Sequence, residues 1–258
     1  MDNNSSRNNT IAKNTFLLYL RSLFGLAVSL YTSRIVLNSL GIDDYGIYNV
    51  VGGMVAMFSL LSNSLSTAIS RYLTFELGKE NIDKLRTIFS SSVVIQTGLA
   101  LFILLLVEIF GICFLNLYIN IPAGRLEAAH WALQCSAITF AVGLISIPYN
   151  ATIIAHEKMV FFAYISILEQ VLKLIVAYLL YISPFDKLKI YAFLLVIVSI
   201  LIRAIYGMYC KRQFEECNGK IIIDKSFIRQ MVDFAGWNFL GAGSGVLMTQ
   251  GVNILMNL

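Results

Sequence analysis

The stretch 14-NTFLLYLRSLFGLAVSLYTSRIVLNSL-40 decides the fold class. Its apolar part, 14–38, is long enough to cross a bilayer core, which takes about 20 helical residues. Comparable runs follow at 45–70, 88–117, 128–150, 160–182 and 189–210, and another opens near residue 232. Inside hydrocarbon every backbone polar group must pair within the chain, so runs of this length are helices and not strands. The fold class is therefore an all-α polytopic membrane protein. Composition agrees: 58% of residues are hydrophobic and 13% charged, where a soluble domain carries about a quarter charged residues. Mean hydropathy is +0.75.

Working outward from that stretch, the loops set the expected orientation. With the N-terminus inside, twelve Lys and Arg fall in inner segments, including Lys13, Arg71, Lys84, Lys158 and Lys211. Only Arg125, Lys187 and Lys189 fall in outer ones. The positive-inside rule then places the N-terminus in the cytoplasm. Residues 1–13 read as a polar cytoplasmic tail, 14–210 as a six-helix lobe, 211–231 as a cytoplasmic loop and 232–258 as one further helix. That last helix would end within the bilayer with its final carbonyls unpaired, so the chain is expected to continue beyond Leu258.

The net charge of +4 does not point to nucleic acid, because most basic residues sit in loops between spans. Four cysteines (Cys113, Cys135, Cys210, Cys217) lack C-x-x-C spacing and read as reduced thiols. His130 and His156 form no metal constellation, His156 reads as a solvated loop residue, and no nucleophile motif or phosphate loop occurs. No catalytic residue, metal or cofactor is expected.

What remains is a set of ionisable residues within spans: Arg21, Arg34, Glu108, Glu169, Lys173 and Arg203. Such a charge costs about 2.5–3.5 kcal/mol at the bilayer centre on insertion scales, and normally finds a partner or a wet cavity. Arg21 lies about 10 Å into the first span at 1.5 Å per residue, where it can either snorkel to the headgroups or face a cavity. Glu169 and Lys173 are four apart in the favourable order on one helix face. They read either as a self-neutralising pair or as a cavity wall at mid-membrane. Arg34, Glu108 and Arg203 lie near span ends, where each can snorkel to the nearer headgroup layer. The stripe Ser59, Ser62, Asn63, Ser66, Ser70 on the second run suits helix packing or cavity lining. Pro148 is positioned to kink or end the fourth span. Within spans, four cations face two carboxylates, which favours an anionic ligand.

The stretch TSRIVLNSLGIDDYGIYNVVGG (32–53), followed by STAISRYL (66–73), resembles bacterial polysaccharide and O-antigen flippases of the Wzx type. These share a superfamily with MATE exporters and MurJ-like lipid II flippases. FAGWNFLGAGSGVLMTQGVNILMNL (234–258) is similar to the seventh helix of that family. The resemblance implies the six-helix N-terminal lobe of a two-lobe transporter plus the opening of the second lobe. It implies alternating-access transport of an oligosaccharide repeat unit on a polyprenyl pyrophosphate, across the bacterial inner membrane, toward the periplasmic leaflet. Polysaccharide or lipopolysaccharide biosynthesis would be the setting, with a glycan polymerase or assembly protein as a further partner. Arg21, Arg34 and Lys173 are then the expected substrate contacts, and Glu169 their charge partner or ion-coupling site. Two other classes compete. A MATE-like exporter of small cations would want an acidic cavity, and a membrane glycosyl or phosphoglycosyl transferase would want a carboxylate cluster at an interfacial loop.

Overall fold

In the computed structural model the chain is described over residues 2–117, 121–122, 124–218, 222, 224–234, 236–237 and 241. Every regular element among the described residues is helical. The helices are α1 (Asp2–Leu40), α2 (Ile42–Ala56), α3 (Ser59–Leu77), α4 (Ile82–Leu106), α5 (Ile112–Leu117), α6 (Leu126–Ala155), α7 (Met159–Ile182) and α8 (Lys187–Gln213). A further helix, α9, covers 225–234. The multi-pass membrane architecture expected from the apolar runs is present. Five helical segments are long and apolar enough to span: Tyr19–Leu40, Ile82–Gly111, Leu126–Ala155, Met159–Ile182 and Lys187–Gln213.

The second run behaves differently from the others. The expectation was a single span over 45–70, but a turn at Met57 and Phe58 divides it into α2 and α3. Both residues keep right-handed backbone angles. The ladder merely tightens, with Phe58 N–H donating to Val55 O before Ser62 N–H resumes on Phe58 O. The result is two consecutive helices, the second of which carries the serine stripe. Ser62 is buried on α3, which packs on α4 and α6, while Ser59, Ser66 and Ser70 are half-buried and Asn63 is exposed.

Each other departure from a straight rod has a local cause. Gly41 closes α1 at φ 82°, a left-handed angle that suits glycine, and its carbonyl already accepts from Tyr45 N–H in α2. α4 runs into α5 through a π-helical turn, Val107–Gly111, in which a Cβ on Gly111 would lie 3.2 Å from Leu133 Cδ2. Pro148 does not end the fourth span, since α6 continues to Ala155.

α6 is the central helix, packed against α2, α3, α4 and α8. Ala128, Ala129, Ala132, Ala137 and Ala141 are buried along it and let neighbouring backbones approach closely. One apolar cluster, around Val55, Ile103, Leu115, Leu133 and Leu188, fills the Gly41 end. A second runs from Val36 and Leu180 through to Phe89, Ile153, Tyr206 and Met231 toward the His156 end. α1 lies apart, laid mainly along α7. Its Tyr19, Leu23, Leu26 and Leu30 face away from the lobe.

The segment after α8 is folded onto the lobe. Ser90 Oγ accepts from Ile222 N–H and Ser91 Oγ from Asp224 N–H, each at 3.2 Å. Asp224 in turn caps α9, accepting from Ser226 N–H at 2.8 Å. Phe227 then meets the Tyr72 ring edge-on, 5.2 Å between centroids. The proposed seventh helix, 232–258, lies for the most part outside the described residues.

Candidate functional site

The seam between α1 and α7 brings three of the four expected site residues together. Arg21 Nη1 donates to Ser166 Oγ at 3.1 Å. Its guanidinium carbon sits 4.8 Å from the Phe162 ring centroid, a cation–π contact. Ser166 holds its position by donating to Phe162 O at 2.9 Å. One turn further along α7, Lys173 Nζ donates to Glu169 Oε1 at 2.6 Å. Helical periodicity puts Ser166, Glu169 and Lys173 on one face.

Two adjoining cavities meet at that face. One, of about 320 Å³, is lined by Arg21, Ser22, Gly25, Ser166, Glu169 and Gln170. The other, of about 360 Å³, runs inward between α6, α7 and α8 past Glu169, Lys173, Ser146, Asn150, Ser199 and Tyr206. Ser166 and Glu169 belong to both walls. The inner cavity also meets buried polar atoms that no described group satisfies, Thr139 Oγ1 and Asn150 Oδ1. Orphan acceptors facing a polar space mark it as wet or ligand-accepting.

The MatE family profile matches residues 20–179. This chain is a MatE protein. Arg21, Arg34, Glu169 and Lys173 all fall within the matched stretch. MatE proteins are membrane transporters of the MATE superfamily and not enzymes. No curated protein and no solved structure matches the chain.

In this MatE protein Arg34 stands apart from the other candidates. It is exposed near the opposite end of α1, about 20 Å from Arg21 along the axis at 1.5 Å per residue. The structure thus pairs Arg21 with the α7 face and leaves Arg34 outside it.

Two expectations about other charged residues are corrected. Arg203 does not snorkel: its guanidinium lies 3.8 Å from the Tyr149 ring centroid, and its buried Nε has no described partner. Gly207 makes the room, because a Cβ there would stand 2.8 Å from Arg203 Nη1. His156 is not simply solvated either. It stacks on Phe214 at 4.2 Å, and its Nε2 lies 2.6 Å from Glu216 Oε1. Burial alone would raise the Glu216 pKa, but the His156 hydrogen bond, backbone donation and the Arg86 charge outweigh it and leave the pKa lowered.

Sequence reading also missed a clamp at the Gly41 end. Arg125 Nε donates to Asp44 Oδ1 at 2.8 Å, and its Nη1 reaches Asp186 Oδ2 at 2.7 Å. Burial pulls the Arg125 pKa down, but these carboxylates outweigh it and hold it above its ordinary value. Lys189 Nζ adds a bond to Glu127 Oε1 at 2.6 Å. All four cysteines are free, as expected. Contact with Cys210 and burial push the Cys217 thiol up.

Proposed function

We propose that this MatE protein moves a polyprenyl-diphosphate-linked oligosaccharide across the bacterial inner membrane by alternating access, as Wzx-type flippases do. The observation that carries the reading is Arg21, held by Ser166 beside the wall that also carries Lys173. A guanidinium fixed by a neutral hydroxyl keeps donors free for phosphate oxygens, in a forked geometry that an ammonium lacks. Arg21 and Lys173 are the diphosphate contacts, and Glu169 is their charge partner. Arg34 contributes at a separate point on α1, toward the sugar or the lipid-exposed face. The Gly41 end faces the periplasm and the N-terminus the cytoplasm, following the excess of loop cations at the other end.

A second reading, export of small cationic compounds, is favoured by Glu169 and by the Phe162 and Tyr206 rings in the cavity wall. Family membership fits both. The deciding experiment reconstitutes the full-length protein in liposomes. It follows leaflet exchange of a fluorescent polyprenyl-diphosphate sugar in parallel with efflux of a fluorescent organic cation. Exchange of the lipid without movement of the cation is expected. Cation efflux with no lipid exchange would replace the first reading by the second.

A further inference from the structure

We propose that Glu169 is a built-in stand-in for the ligand's anion, neutralising Lys173 when the site is empty and yielding it when a diphosphate enters. This rests on the reading of the site as an anion-binding one, and it assigns Glu169 a specificity role that the reading itself leaves open. Glu169 lies one turn from Ser166, which holds Arg21, and one turn from Lys173. Its carboxylate belongs to the wall of both cavities. Among the described residues it is the one acidic group in either lining.

The pair is built to open. Side-chain exposures of 35% for Glu169 and 40% for Lys173 leave both within reach of water or a ligand. An i,i+4 ion pair of that kind binds weakly, so little is lost when it parts. A diphosphate carries more charge than a carboxylate and offers more acceptor oxygens, so it can displace Glu169 from Lys173 while engaging the Arg21 fork. A neutral ligand cannot make that exchange, and a cationic one would leave Lys173 in place and repel it. The empty site therefore carries one uncompensated cation instead of two, and only a strong anion opens the pair.

The test measures binding of farnesyl diphosphate, inorganic pyrophosphate and farnesol to full-length protein in nanodiscs. Wild type is compared with Glu169→Gln, Lys173→Gln and the double variant, with thermal stability recorded for each. Glu169→Gln should bind diphosphate about tenfold more tightly, the scale of one nearby like charge removed from a partly wet site. Its affinity should also fall more steeply with salt. Lys173→Gln should bind more weakly by a similar factor, and the double variant should return to within a few-fold of wild type. The double variant keeps the net charge, so it tests the proposal even if Glu169→Gln fails to fold. Farnesyl diphosphate binding tighter than pyrophosphate identifies a lipid-borne headgroup, and equal affinity identifies the free anion, with the stand-in role supported either way. If wild type binds but the double variant falls as far as Lys173→Gln, Glu169 does not compete with the ligand and the proposal is overturned alone. If neither diphosphate binds to any of the four proteins, the anion-site reading falls with it.

Discussion

Replacing Arg21 separates a ligand-binding cation from a membrane anchor. Lysine at this position keeps the charge and snorkels about as well as arginine, but it loses the planar fork. The side chain makes one hydrogen bond, to Ser166 Oγ at 3.1 Å, and one cation–π contact with Phe162 at 4.8 Å. Neither demands a forked donor, so Arg21→Lys should insert and fold normally. Its cost should fall on the ligand: losing one charge-assisted bond is worth about 1.5–3 kcal/mol, or roughly 10- to 100-fold in affinity. Arg21→Ala removes the charge as well and should transport worse than Arg21→Lys. The assay is leaflet exchange of a polyprenyl-diphosphate sugar by reconstituted full-length protein, with membrane abundance measured alongside. Reduced exchange at normal abundance, graded from Lys to Ala, is the expected result. Normal exchange by Arg21→Ala at normal abundance would make Arg21 an anchor and remove the leading member of the proposed site.

Three further outcomes follow from other parts of the lobe. In full-length protein without reactive native cysteines, single cysteines at Asp43 and Phe185 should label from the periplasmic side and those at Lys79 and Lys84 only after permeabilisation; the reverse pattern would invert the topology. Arg125→Met should destabilise the lobe by about 1–3 kcal/mol, the cost of leaving a buried group unsatisfied, because the Asp44 side chain is only 5% exposed; a thermal unfolding midpoint equal to wild type would show the clamp to be incidental. Glu216 has a lowered folded pKa, so its stabilising contribution is complete above the ordinary carboxylate range and disappears as pH falls through the folded value. Glu216→Gln should accordingly lower the melting temperature at neutral pH and flatten the acid limb of its pH dependence, and an acid limb identical to wild type would remove this carboxylate from the account.

The amino-acid sequence by itself determined the fold class, five of the six complete passes it predicted and the Glu169–Lys173 pair. The bilayer admits only self-satisfied helices, so run length alone identifies a span, and an i,i+4 pair is fixed by helical geometry without any other element. The break at Met57 and Phe58 was not legible, because no proline marks it and its backbone never leaves the right-handed region. Arg21 could be flagged as costly but not aimed, since its direction depends on which helix α1 lies against, and Ser166 is 145 residues away in the chain. The same holds for the clamp, in which Asp44 from the first turn of α2 and Arg125 and Asp186, which precede α6 and α8, are brought to one point only by helix packing. Arg203 shows the limit of depth arguments: position allowed snorkelling, but the space left by Gly207 and the ring of Tyr149 turned the side chain inward. Local periodicity thus sets what each helix is, while the non-local approach of side chains decides which charges share a cavity.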